Sequence, residues 1–459
     1  MMKIYITLFF LILATANLFA YAEQIQAPPI MPPAGHPFPT VRIVTGTTAV
    51  DDNGYNPFGI TRDEWRTFAQ GVYISIENAW DSSYNFSNIP TDVRGRGNST
   101  WWQYEGRKQP YRIRFPNPNT NHRSMLDSDY RARNWSFLAN HSDRALIRNY
   151  AAHELGRMLG SFCFAPFVRN VHLYINGDYR GVYLLVDHMD NDGRVNINWD
   201  RNNPELSEYY LEFCRRRSGD HWFWAYDMPF EFREDSGITE GHYEVARAFM
   251  RRVYDAIYAR DWELIQNLIE VPTFVDFYIV NELFKQIDIN WSSVHMTIRG
   301  VGENRRLHKG PLWDFDRSAG DYCFWFLESN NNYAPFTPGE WVSAKDIPFN
   351  NPVRTCTENC MKAPSIAQRS VWYSYLFDIP EFRALVQERF YEVKQNHIPA
   401  LIDFVRDMAQ IHEKEFLRNH DRWGTNEVGT TPFMTRINRL LAYFVERTLW
   451  MEKFLSEDE

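Results

Sequence analysis

NELFKQIDINWSSVHMTIRGVGENRRLHKGPLWDFDRSAG, residues 281–320, reads as the end of a helix, a polar loop, a β-hairpin and an acidic second loop. Asp288 lies in the first loop; Asp314 and Asp316 lie in the second, directly after Trp313. A hairpin returns its flanking loops to the same end of its strands, so carboxylates distant in sequence meet in space. Oxygen ligands so gathered suit a hard metal ion or acid/base work. Upstream, Thr273 with Asp276 behind Pro272 predicts a capping box and a helix running to Lys285. That helix is apolar nearly all round (Phe274, Val275, Phe277, Tyr278, Ile279, Val280, Leu283, Phe284), as a buried helix is.

Outward from this stretch the chain divides in two. Strand signals begin at Val41 (VRIVT) and recur at Val72–Glu77, at 92–97 and at 110–115, where Tyr111, Ile113 and Phe115 alternate with Arg112 and Arg114. The arginine face is either solvated or lines a cleft for anions. A helix is expected from a cap at Ser142 or Asp143 to Gly160, with Ile147, Ala151, Leu155, Met158 and Leu159 on one face. VHLYINGDYRGVYLLV then predicts a hairpin turning at Asn176-Gly177. Beyond residue 190 the pattern is mostly helical: Tyr243–Ala259, Trp262–Ile269, and 381–454 with a break near Gly424–Pro432. Residues 321–363 are irregular, a lid, a substrate loop or an insertion. The expectation is an α+β fold: a strand-rich part over 41–190 and a mostly helical part over 191–459 that holds the 281–320 segment.

Of 459 residues, 44% are hydrophobic and 23% charged, which is globular, and the 16% aromatic share supports a large core. The net charge of −9 argues against nucleic acid as a partner. Five cysteines (Cys163, Cys214, Cys323, Cys356, Cys360) show no zinc spacing; Cys356 and Cys360 are close enough in sequence to be bridged in an oxidising compartment. Residues 1–22 read as a secretory signal: Lys3, an apolar run over 4–13 and Ala20-Tyr21-Ala22 at the cleavage site. An uncleaved anchor is the alternative. A Pro-rich linker follows over 23–40, and no later stretch is apolar enough to span a membrane. The mature chain is expected to be secreted, periplasmic or at the cell surface.

Two further constellations bear on chemistry. In RGRGNSTW (94–101), glycines between arginines permit close backbone approach to an anion, and KQPYRIRF (108–115) brings Lys108, Arg112 and Arg114 alongside. A Gly-rich turn is the plain alternative. Lys108 with Glu154 has the form of the lysine–glutamate pair that grips nucleotide phosphates in protein kinases; Glu154 with Arg157 at i,i+3 is the competing pairing. The order helix, Asp288, hairpin, Asp314-Phe315-Asp316 also follows the kinase order of catalytic loop and metal-binding loop. His-Arg-Asp and Asp-Phe-Gly are missing, and Ser293 stands where the kinase pattern has a metal-binding asparagine.

Four blocks in order carry a closer likeness: RGRGNSTW with KQPYRIRF, NWSFLANHSDRALIRNYAAHELGRMLG (134–160), VHLYINGDYRGVYLLVDHMD (171–190), and NEL…SS…KGPLWDFDRSAG (281–320). Together they resemble the spore coat protein H (CotH) kinase family of atypical kinases. The resemblance implies a kinase-like two-lobed fold, ATP with Mg²⁺ or Mn²⁺, and phosphoryl transfer to Ser or Thr of a secreted or surface protein. By position it implies Asp288 as catalytic residue and Asp314 as metal ligand, with Asp316 as a second ligand. Lys108 is the candidate for the nucleotide lysine, with Arg96, Arg112 and Glu154 beside it; Asp187 stands where the family often has Glu. Two other readings remain: an inactive kinase-like surface or binding protein, and a carbohydrate-active protein, which its acidic pairs and abundant aromatics also allow.

Overall fold

A computed structural model describes residues 31, 33–45, 67–97, 100–101, 107–116, 123–189, 194–215, 219–226, 228–233, 237–286, 292–320, 371–425 and 431–456. The expected signal, most of the Pro-rich linker, Cys323, Cys356, Cys360, the stretch 321–363 and Asp288 lie outside them. Seven strands form a closed barrel: β1 (Thr40–Thr45), β2 (Ala69–Glu77), β3 (Phe86–Gly95), β4 (Tyr111–Arg114), β5 (Asn134–Leu138), β6 (Val168–Ile175) and β7 (Asp178–Asp187). The strand order is β1-β2-β3-β4-β5-β7-β6, closed by parallel pairing of β1 with β6. Inward positions hold an apolar filling that includes Ile43, Ile74, Val93, Ile113, Trp135 and Leu173. The β6–β7 hairpin turns at Asn176 (φ 51) and Gly177 (φ 84), both left-handed as a two-residue type I′ turn requires.

Helix α1 (Arg148–Leu159) ends at left-handed Gly160, as expected, but it starts later than either proposed cap allows. Asp143 instead accepts from the backbone N–H of Ala145 and of Arg148, both at 2.9 Å, and pairs with the Arg148 guanidinium. Its carboxylate thus closes a turn ahead of the helix.

Residues 209–232, where no strand was expected, supply β8 (Tyr209–Phe213), β9 (Trp222–Ala225) and β10 (Met228–Phe232). They join β11 (Val294–Arg299) and β12 (Arg306–Lys309) in an antiparallel sheet ordered β12-β11-β8-β10-β9. The helical part follows the sequence pattern in α2 (Glu240–Ala259), α3 (Trp262–Leu268), α4 (Val271–Phe284), α6 (Pro380–Asn396), α7 (Ile398–Ile411), α8 (Glu413–Arg422) and α9 (Phe433–Ser456), and adds the short α5 (Val371–Leu376), where no helix was expected. Every residue of α4 is buried. Its expected capping box does not form, because Thr273 Oγ1 donates to Glu270 O at 2.7 Å and Asp276 pairs with Arg389 of α6 at 2.7 Å. The main core lies between the sheet, the helices and the outer faces of β6 and β7. The architecture is α+β, strand-rich first and helical later. Among the described residues no helix is long and apolar enough to cross a membrane.

His153 on α1 is fully enclosed, and among the described residues neither ring nitrogen has a hydrogen-bond partner. Burial holds its pKa down at about 3, against 6.5 ordinarily. The unfolded chain therefore binds a proton that the folded chain refuses, and stability from this group is lost as pH falls from 6.5 toward 3. His153→Leu is expected to stabilise by on the order of 1 kcal/mol at neutral pH and by more in mild acid. Urea unfolding at the two pH values checks this; an unchanged pH slope in the variant would refute it.

Candidate active-site cleft

A cleft of about 450 Å³ opens where the barrel meets the second sheet. One wall comes from β3, β4 and the turn after β3. Arg94, Arg96 and Arg112 line it. The glycine between the arginines and the one after them are required by packing: a Cβ on Gly95 would meet the Trp101 ring at 2.5 Å, and Gly97 has φ +83 with Thr100 Oγ1 2.1 Å from where its Cβ would stand. Arg96 lies over the Trp313 ring, 5.3 Å from its centre, and Arg112 Nε donates to Asn134 Oδ1 at 3.3 Å. The other arginine of β4, Arg114, pairs with Asp92 at 2.9 Å.

The opposing wall carries the acids. Asp314, left-handed at φ 68, accepts from Ser293 Oγ at 3.3 Å. Asp316 accepts from Ser142 Oγ at 2.5 Å. Its pKa is pushed up to about 7, first by burial and next by the charge of Asp314. Glu212 of β8 adds a third carboxylate. It accepts from the Ser293 backbone N–H at 2.9 Å and pairs with Arg233 at 3.3 Å. Arg233 completes a basic field: burial, then Arg112, Arg96, Arg233 and Arg94, hold His188 well below the ordinary imidazole range.

The sequence-derived candidates thus meet different fates. Arg96, Arg112, Asp314 and Asp316 share the cleft lining. Asp288 falls outside the described residues, but its flanks are informative: Gln286 Nε2 donates to Asp314 O at 2.5 Å, and Ser293 Oγ to the Asp314 carboxylate. Lys108 is fully buried beside the barrel filling, its ammonium donating to Val182 O and lying 4.9 Å from the Tyr183 ring centre. Burial lowers its pKa well below the usual lysine value. Glu154 pairs with Arg157 at 2.9 Å, the competing i,i+3 partnership. Glu212, Arg233, Asn149 and Gln286 were not anticipated. The only sequence signal for Glu212 is a lone acid in the otherwise apolar strand YYLEF.

The donor set fits a hard divalent cation with a polyphosphate. Among the described residues no three His, Cys, Asp or Glu groups gather into a cage. Two carboxylates suffice for Mg²⁺ or Mn²⁺, which keeps water and phosphate oxygens as its remaining ligands. Arg96 Nε is closed to solvent and, among the described residues, has no hydrogen-bond partner, as a donor awaiting an anion would be.

A family model described as CotH kinase protein matches residues 93–451, from β3 through most of α9 and so across the whole cleft. No curated protein matches the chain.

Proposed function

The chain belongs to the CotH kinase family, and from that premise we propose that it is an atypical, two-lobed protein kinase. It transfers the ATP γ-phosphate to Ser or Thr hydroxyls of secreted or surface proteins. The observation that carries this reading is the convergence on Asp314: residues on both sides of the Asp288 segment, Gln286 and Ser293, hydrogen-bond it, and Asp316 and the arginine wall share its cleft.

In this reading Asp314 and Asp316 hold Mg²⁺ or Mn²⁺, which when bound neutralises charge on the phosphate oxygens. Arg94, Arg96 and Arg112 receive the phosphates from the other side and offset the charge that spreads over them during transfer. Asp288 orients the acceptor hydroxyl and accepts its proton. Lys108, committed to Val182 O, leaves the phosphate grip to these arginines.

The burial of Lys108 favours one second reading, a nucleotide-binding protein without transfer. Differential scanning fluorimetry with ATP and Mn²⁺, followed by transfer of labelled γ-phosphate to a mixed protein substrate, separates the two. Saturation at a hundred times Kd adds about 2.7 kcal/mol of stability, enough to raise the melting temperature. No shift at millimolar nucleotide would defeat both readings; a shift without transfer leaves the second.

A further inference from the structure

Asp314 has a left-handed backbone, a conformation that a single aspartate can visit and that its surroundings can fix. Two side-chain amides do so from opposite sides. Asn149, on the first turn of α1, accepts the Phe315 N–H on its Oδ1 at 2.6 Å and donates from Nδ2 to Asn140 Oδ1 at 2.8 Å. Gln286, just beyond the C-terminus of α4, donates from Nε2 to Trp313 O at 3.4 Å and to Asp314 O at 2.5 Å. Asn149 and Gln286 are both buried, 2% and 4% exposed, so neither amide trades freely with water.

We propose that Asn149 and Gln286 are positioning residues that clamp the Trp313–Phe315 backbone and thereby aim the Asp314 carboxylate into the cleft. Peptide groups are planar, so fixing the carbonyls of 313 and 314 and the N–H of 315 sets the torsions on both sides of the Asp314 Cα. The two amides come from different parts of the fold: Asn149 follows the Asp143 turn against the barrel, and Gln286 lies just past the end of the buried helix, on the way to the Asp288 segment. The clamp therefore makes the direction of Asp314 depend on α1 and α4 standing in one relation. Arg148 extends the same bracing from one residue earlier, donating to Ser318 O at 2.9 Å and to Ala319 O at 3.2 Å.

The consequence for metal affinity rests on the proposed role of Asp314 as a ligand; the consequence for backbone order does not. Asn149→Ala and the volume-preserving Gln286→Met are compared with the full wild-type chain in two measurements. Hydrogen exchange of the metal-free protein is expected to rise several-fold in peptides covering 312–319 and to stay unchanged across the rest of α1 and α4. Mn²⁺ titration followed by electron paramagnetic resonance is expected to show about tenfold weaker binding in each variant, without added nucleotide. Unchanged exchange at 312–319, or a uniform rise across α1 and α4, would overturn the clamp. So would a local rise that leaves Mn²⁺ affinity intact. If the wild type takes up no Mn²⁺ while exchange rises locally, the clamp stands and the metal reading of Asp314 fails.

Discussion

Removing the Asp314 carboxylate is expected to lower metal-dependent γ-phosphate transfer by at least about a thousandfold in a protein that still folds. The size follows from the chemistry removed. One of the two carboxylates proposed to hold the metal disappears, and with it the hold on the cation that would neutralise the charge building up on the phosphate oxygens in the transition state. The fold survives because the carboxylate is lightly held: among the described residues it accepts one long hydrogen bond, 3.3 Å from Ser293 Oγ. The choice of variant matters, since Asp314 is left-handed. Asn tolerates that region better than Ala, so Asp314→Asn isolates the charge while Asp314→Ala adds backbone strain of about 1 kcal/mol. Labelled-phosphate transfer and a thermal melt on both variants give the result. Robust transfer by folded Asp314→Asn would remove Asp314 from its assigned role.

The largest loss of stability is expected at Glu282. Arg447 of α9 is wholly enclosed, and its guanidinium donates to Glu282 O at 2.9 Å and to Glu282 Oε2 at 2.8 Å. Glu282→Ala leaves that cation buried without its carboxylate, at a cost of roughly 3–5 kcal/mol. The pair itself contributes far less than this, because two charges left water to form it. Glu282→Met with Arg447→Met is therefore expected to be close to neutral. Urea unfolding of the single and double variants makes the comparison. A single-variant loss below about 1 kcal/mol would show that Arg447 finds other partners. The ion pair ties the C-terminal helix to α4 two residues before that helix ends at Phe284, so transfer activity is expected to fall with stability in the single variant.

What was legible in the chain was local. The Asn176-Gly177 turn was visible because a type I′ turn is set by two residues. Helix α4 was visible because a long run of residues of one character needs no partner to be recognised as buried. The three strands at 209–232 were missed for the converse reason. WFWA and MPFEF show no clean alternation, and Pro229 within β10 argues against a strand unless the sheet tolerates it there. Strand β5 is only five residues long (NWSFL), and its polar positions Asn134 and Ser136 are as buried as Trp135 and Phe137, so no solvent-facing side marks it out.

The site divides in the same way. Asp314 and Asp316 are spelled out by PLWDFD, and Arg94 and Arg96 by RGRG, because each motif contains its own geometry: a loop after a hairpin, and a turn whose glycines make room for Trp101 and Thr100. The partnerships of single residues were not spelled out. Lys108 and Glu154 look like a pair in one dimension, yet Lys108 turns to Val182 O and Glu154 to Arg157. The helix expected from Ser142 or Asp143 begins at Arg148, because the Asp143 carboxylate captures Arg148 by both its backbone and its side chain.

By itself the sequence determined the strand-rich first part and the mostly helical later part, the buried helix, the family and the acidic loop after the 294–309 hairpin. These depend on periodicity and on motif order, which survive without knowledge of the fold. Only the tertiary structure decided that residues 209–232 complete the sheet behind the site, that Glu212 faces Ser293, and that Asn149 and Gln286 hold Asp314. Each of those contacts joins groups from separate elements. A buried hydrogen bond is selected by which partner the packed chain brings within about 3 Å, and no local pattern encodes that distance.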